Sequence, residues 1–189
     1  MALEWTNRPE RSDVERKYQW VKAPAKGILR CRILSPELMV TRVHYFKGRS
    51  RGHDLENCRA CAAGNPPRWT GFAFCCLPGE RRIRILQVPG FIADQLYGER
   101  CRLATLKNLA IQLSRKNEKP NGEVFLKIEG VYDNAEFNPK VPLIAPILER
   151  TWEQNILWTQ ITEAKPAHEL RPTGTEGRPQ LGIHETELD

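Results

Sequence analysis

Gly27-Ile-Leu-Arg-Cys-Arg-Ile-Leu34 is the stretch whose reading decides the fold. Leu29, Cys31 and Ile33 alternate with Arg30 and Arg32. This is the period-two pattern of a strand with one face in a core and the other in water, and the wet face is basic. The same pattern recurs outward along the chain. After Ser35-Pro36-Glu37, Leu38 to Phe46 is rich in β-formers, and Trp69 to Leu77 and Arg81 to Val88 flank Pro78-Gly79-Glu80 as a hairpin. A second hairpin follows, with Leu109, Ile111 and Leu113 in alternation, a polar turn Asn117-Glu-Lys-Pro-Asn-Gly122, and then Val124, Leu126 and Ile128 in alternation. Between the hairpins, Phe91 to Tyr97 has the apolar spacing of a short helix closed by Gly98, and Pro142 to Trp152 reads as a C-terminal helix. Five to six strands and a short helix predict a mostly β domain over residues 27–152. Sheets of this size hide their edges by closing into a barrel or a sandwich, and an OB-type barrel is one of the options.

The flanks read differently. Residues 1–26 are polar with scattered aromatics (Trp5, Tyr18, Trp20) and predict an N-terminal arm; residues 153–189 are polar, mildly acidic and poor in large apolar side chains, and predict a disordered tail. With 189 residues, 40% apolar and 28% charged, the chain suits one domain with appendages and excludes collagen-like, coiled-coil and wholly disordered readings. No export signal or membrane anchor is visible, and the longest apolar run, Phe72 to Leu77, is about a third of a membrane span. The expectation is a cytoplasmic protein, bacterial or in a phage-infected host cell, with its six cysteines reduced. Its net charge is +6, and residues 42–84 alone hold nine basic against three acidic side chains. Tyr45, Phe46, Trp69, Phe72 and Phe74 are interleaved with them, as suits a partner that offers both phosphates and unstacked bases.

The sharpest chemical signal is His44-x8-His53-x4-Cys58-x2-Cys61. A C-x2-C knuckle turns two thiolates toward one point, and Gly48 and Gly52 let the chain bend two imidazoles toward it, which is a donor set for Zn2+. Four protein donors leave no open position, so the site is expected to be structural rather than catalytic. Residues 47–68 hold almost no bulky apolar side chains, so coordination must supply the free energy that orders them. Cys75 and Cys76, adjacent on a strand, point to opposite faces; Cys75 is the reserve ligand should a histidine fail.

From Gly27 to about Tyr97, the sequence resembles the zinc-containing OB-fold single-stranded-DNA-binding proteins of T-even-type bacteriophages. The likeness rests on the strand Leu29-Arg30-Cys31-Arg32-Ile33-Leu34-Ser35-Pro36, a histidine after the next strand, the C-x2-C knuckle, the aromatic strand Trp69 to Leu77, then a strand and a short helix. It departs from that family in having His53 where a cysteine is typical, and in shorter ligand spacings. The resemblance implies an OB-type barrel with the zinc subdomain inserted at 44–68, walling a basic aromatic cleft for single strands. It implies a role in DNA replication, recombination or repair, with partner proteins recruited through the tail. Arg30, Arg32, Arg82 and Arg84 on the strand faces, with Arg42, Lys47, Arg49, Arg51 and Arg68 around the zinc loop, would track phosphates. Tyr45, Phe46, Trp69 and Phe72 would offer stacking faces, Trp69 before Phe72.

Enzyme readings are weaker. A zinc deaminase needs H-x-E, but Phe46 and Leu55 stand two residues after the histidines, and no phosphate-binding glycine pattern is present. The rival reading is a zinc-stabilised protein-interaction adaptor, or an RNA-binding module.

Overall fold

The computed structural model describes residues 17–46, 49–54, 58–119, 122–132, 136–152 and 159–160. The strands, in chain order, are β1 (Gln19–Val21), β2 (Ile28–Ile33), β3 (Met39–Phe46), β4 (Arg49–Gly52), β5 (Arg68–Cys76), β6 (Arg84–Pro89), β7 (Leu109–Arg115), β8 (Val124–Val131) and β9 (Thr159–Gln160). The helices are α1 (Arg59–Ala62), α2 (Gly90–Leu103) and α3 (Ile144–Trp152). All nine strands belong to one connected sheet, whose main path runs β1-β6-β5-β2-β7-β8. The mostly β class therefore holds, with its main helix between the fourth and fifth expected strands. Among the described residues no ladder joins β8 to β1 or β6, so the sheet is open.

β5 organises it. One edge pairs with β6 over Thr70 to Cys75, and the other is shared by β3, opposite Arg68 to Phe72, and β2, opposite Cys75 and Cys76. The chain leaves β5 between these two partners at Ser35-Pro36, and the ladder bond lost there is replaced: the Phe74 N–H donates to Ser35 Oγ at 2.8 Å. Alternation along β5 sends Ala73 and Cys75 to one face and Phe72, Phe74 and Cys76 to the other, and each face is buried in its own core. Ile92, Ala93 and Leu96 of α2 cover the first; Ile144, Leu148 and Trp152 of α3, with Tyr18, cover the second. Burial on both faces explains why Phe72 to Leu77 is an unbroken apolar run.

Several boundaries differ from the sequence reading. The arm predicted for residues 1–26 is part of the sheet from β1 onward, because β1 pairs in parallel with β6 and Tyr18 enters the second core. Most of the tail predicted for 153–189 lies outside the described residues, but β9, within it, pairs with Met39 and Val40 of β3. The helix α2 runs through Gly98 to Leu103 and ends at Ala104, whose φ of 63° provides the left-handed stop that Gly98 was expected to supply. At Leu77-Pro78-Gly79-Glu80 the chain turns as expected, with Gly79 at φ 73° and the Glu80 N–H on Leu77 O at 3.1 Å.

Gly71 lets α2 approach β5: a Cβ there would lie 2.7 Å from Leu38 Cδ2 and 3.0 Å from both Ala93 Cβ and Val88 Cγ2. Gly98 faces open space. Gly71→Ala should therefore cost about 1–3 kcal/mol by overpacking, whereas Gly98→Ala should stabilise by roughly 0.4–1 kcal/mol. Urea denaturation of the two variants checks both signs.

Candidate metal centre

The centre is assembled by a hairpin and a tight turn. His44 lies near the end of β3, directly opposite Arg51 of β4, and the ladder continues one step past β4 as the His53 N–H donates to Arg42 O at 2.8 Å. Cys58 precedes α1, whose single turn carries Cys61; the Ala62 N–H on Cys58 O and the Gly64 N–H on Cys61 O close the knuckle. Asn65 Nδ2 donates to Tyr45 O and ties the end of the knuckle back to β3.

The four donors converge as expected. His44 Nε2 lies 2.9 Å from His53 Nδ1, 3.1 Å from Cys58 Sγ and 3.7 Å from Cys61 Sγ, and Cys61 Sγ lies 3.7 Å from His53 Nδ1. One donor atom from each of the four residues falls within 4.8 Å of all the others, so the group could hold a metal ion. Two imidazole nitrogens and two thiol sulfurs suit a borderline or soft divalent ion, not the oxygen-seeking Ca2+ or Mg2+. His44 is buried, and among the described residues its Nδ1 has no hydrogen-bond partner. Cys75, the reserve ligand, is not needed; it sits in the first core beside Cys31.

The thiols are set up for unequal protonation. Burial pushes the Cys58 thiol up, but backbone N–H groups of Cys61 and Ala60, the Cys61 side chain and the Asp54 backbone outweigh it and hold Cys58 below its ordinary value. Cys61 goes up, first through desolvation and then through the proton and charge it shares with Cys58; Arg42 opposes this. Burial, then the His44 and Arg42 charges, hold the His53 imidazole below its ordinary 6.5, against the pull of Asp54.

The other candidate residues separate into groups. Arg42, paired with Trp69 across β3 and β5, lies over the Trp69 ring at 5.1 Å from its centroid. Arg42 and Arg51 are exposed beside the four candidate donors, and alternation along β3 puts both on the side of the sheet that carries His44. Tyr45 is 66% exposed, and Arg68 is also exposed; both belong to the opposite face at the same end of the sheet. Phe46 and Arg49 are in β3 and β4 by their backbones only, and Lys47 lies outside the described residues.

Phe72 corrects the expectation. It is 0% exposed and packs edge-on against Trp20 and Trp152, so it has no face for a base. At the far end of β5, Arg84 is held by Glu80 at 2.6 Å and by Gln19, and Arg32 by Asn108 Oδ1 at 2.6 Å and the Phe137 carbonyl. Neither is a free cation on an open strand face. Arg82 is exposed, and Arg30 pairs at 3.9 Å with Glu129, a pair worth about 0–1 kcal/mol. Since β5 rises about 3.3 Å per residue, roughly 23 Å separates the Arg42–Trp69 pair from Arg32, opposite Cys76. The cations thus form two clusters rather than one track. The sequence reading did not single out Asn65 or Asn108, whose roles come from contacts remote in sequence.

No family model matches this chain, and comparison with curated proteins and with solved structures finds no match. Among the described residues, no helix is long and apolar enough to cross a membrane.

Metal analysis should find about one ion per chain, lost on combined Cys58→Ser and Cys61→Ser replacement and kept by Cys75→Ser. Retention by the double variant would remove these residues from the ligand set. Because the folded His53 pKa is lowered, the metal-free fold should be most stable above pH 6.5. Below that the unfolded chain binds the extra proton first, so stability should fall progressively as the pH drops through the lowered folded value. His53→Gln should flatten that part of a stability-against-pH profile measured with chelator present.

Proposed function

We propose that the chain is a non-catalytic, non-sequence-specific single-stranded-DNA-binding protein of replication, recombination or repair, stabilised by one structural Zn2+. The observation that carries it is the Arg42–Trp69 pair beside the His44, His53, Cys58 and Cys61 cluster, which sets exposed cations and a half-buried aromatic ring, one face under Arg42, at one end of the sheet. Cations meet phosphates and aromatic rings meet unstacked bases, a combination duplex DNA cannot fully use. The resemblance to the phage single-strand-binding family supports the same reading. So does the order of elements: a β2–β3 strand bent at Ser35-Pro36, the β5–β6 hairpin, α2 and then the β7–β8 pair, as in a partly open OB-type barrel.

Zinc is favoured by the donor spacing. Tetrahedral bonds of 2.0–2.1 Å to nitrogen and 2.3 Å to sulfur put donors about 3.3–3.8 Å apart; four of the six separations here are 2.9–3.7 Å, and all lie within 4.8 Å. When bound, it would supply a structural crosslink and no reactive position. Residues 53–67, between β4 and β5, would cost on the order of 15 kcal/mol to order at about 1 kcal/mol each. A structural zinc contributes roughly 10–16 kcal/mol, the same order.

Fluorescence titration against oligo-dT, duplex and poly-U at two salt concentrations tests the reading. Single strands should bind more tightly than duplex, and affinity should fall with salt. Arg42→Ala and Arg51→Ala should each reduce the log–log salt slope by about 0.7, and Trp69→Ala should cost about 1–3 kcal/mol. Preference for duplex, or affinity indifferent to salt, overturns it; preference for poly-U reassigns the protein to RNA.

A further inference from the structure

About 23 Å along β5 from the Arg42–Trp69 pair, a cavity of about 390 Å3 opens on the second face of the sheet. Its floor is one row across adjacent strands: Cys76 of β5, Arg32 of β2 and Ala110 of β7, continued by Gly130 of β8. The row explains the space, because a single long side chain stands among three small ones. Nothing lies within 4 Å of where a Cβ on Gly130 would be. The turn from Leu77 to Arg81 forms one wall, and Glu129, Tyr132 and Phe137 contribute to the other.

The floor is organised as well as empty. Asn108, at φ 69°, donates its N–H to Ile33 O, accepts the Tyr132 N–H at 3.0 Å and takes Arg32 Nη1 at 2.6 Å, so one residue positions both the guanidinium and the aromatic wall. A second Arg32 nitrogen donates to the Phe137 carbonyl. Both acceptors are neutral; Nη1 and Nη2 each donate once to them and the Cys76 side chain also bonds Arg32, so a charged planar group is fixed, with N–H donors to spare, in a recess with largely apolar walls. Glu129 bonds through Oε1 to Gln112 and, at 3.9 Å, to Arg30. The rim carries Arg81 and Glu136, paired at 3.5 Å and exposed. A recess of this volume, apolar with a few placed polar groups, has the form of a small-molecule site.

We infer that this cavity binds a guanine base. Guanine offers two acceptors, O6 and N7, to a guanidinium, and its N1–H and N2–H2 donors to a carboxylate such as Glu129. Adenine puts an N6–H2 donor where guanine has O6 and so meets Arg32 with the wrong polarity. The exposed ring of Tyr132 and the Phe137 ring supply apolar and stacking surface. The base can belong to a free nucleotide or to a nucleotide unstacked from a strand; the recognition chemistry is the same.

Calorimetric titration of the full chain with GMP, AMP and CMP tests this. GMP should bind saturably, and about ten- to a hundredfold more tightly than the other two. Ala110→Leu, which fills the floor beside Arg32 and removes no polar group, should abolish binding, and Glu129→Gln should reduce the preference for GMP over AMP. Arg32→Lys should remove the preference too; should it unfold, Ala110→Leu and Glu129→Gln carry the decision. Parallel titrations use oligo-dT with and without one central dG. Tighter binding of the dG strand, lost in Ala110→Leu, makes the strand the source of the base; GMP binding with no such effect makes it a free nucleotide. Arg42→Ala should weaken the oligonucleotide and leave GMP unchanged, so failure at the metal end and failure here are distinguishable. Equal binding of all bases, no binding of either GMP or the dG strand, or GMP binding unaffected by Ala110→Leu would overturn the inference.

Discussion

Burial of β5 on both faces, with pairing along both edges, is the constraint on which the rest depends. A strand in that position contributes no solvent-facing side chains along its centre, and Phe72 to Cys76 are all buried. Polar chemistry can therefore appear only at its two ends. At the Arg68 end, the β3–β4 hairpin and the knuckle gather nitrogen and sulfur donors. At the Cys76 end, small residues flank Arg32 and leave a recess. The tight Gly71 contact with Leu38, Val88 and Ala93 fixes α2 against this strand, and Gly90, at the start of α2, lies against Trp69. Packing of the first core is thereby transmitted to the Arg42–Trp69 pair.

How much of this was legible in the sequence depended on how local the determining contacts are. Alternation at Leu29, Cys31 and Ile33, and again around Ile111 and Leu126, reports burial residue by residue, so the main strands and the mostly β class were readable. The convergence of the His/Cys quartet was readable for the same reason, since four donor residues within eighteen positions favour one shared point. β4 was not, because Arg49-Ser-Arg-Gly52 has no apolar side chain and is a strand only because β3 offers it a ladder. β1 was missed on similar grounds: three residues are too few for a period, and it is pairing with β6 that defines them. Gly98 did not end α2 because a glycine stops a helix only where the chain must turn left-handed, and that turn falls at Ala104.

Phe72 and the arginines show the limit more sharply. Aromatic and basic residues in alternation carry the same signature whether they face a ligand or the protein's own interior. Trp20 and Trp152, which pack against Phe72, come from segments more than fifty residues away on either hand. Asn108, which holds Arg32, is 76 positions distant. No window of sequence contains both partners, so neither the loss of Phe72 as a stacking face nor the cavity under Arg32 could be read before the register was known.

The separation of the two ends has an electrostatic consequence. At physiological salt the screening length is about 8 Å, roughly a third of the 23 Å between Arg42 and Arg32 along β5. The carboxylates at the far end, Glu80, Glu129 and Glu136, thus offset their own arginines without lowering the potential beside the metal ligands. Two thiolates would also balance a divalent ion, so filling the site would add no charge of its own to that potential. Exposed Arg42, Arg51 and Arg68 therefore set the field at the His/Cys end, while at the far end hydrogen bonds hold Arg32 and Arg84 in place.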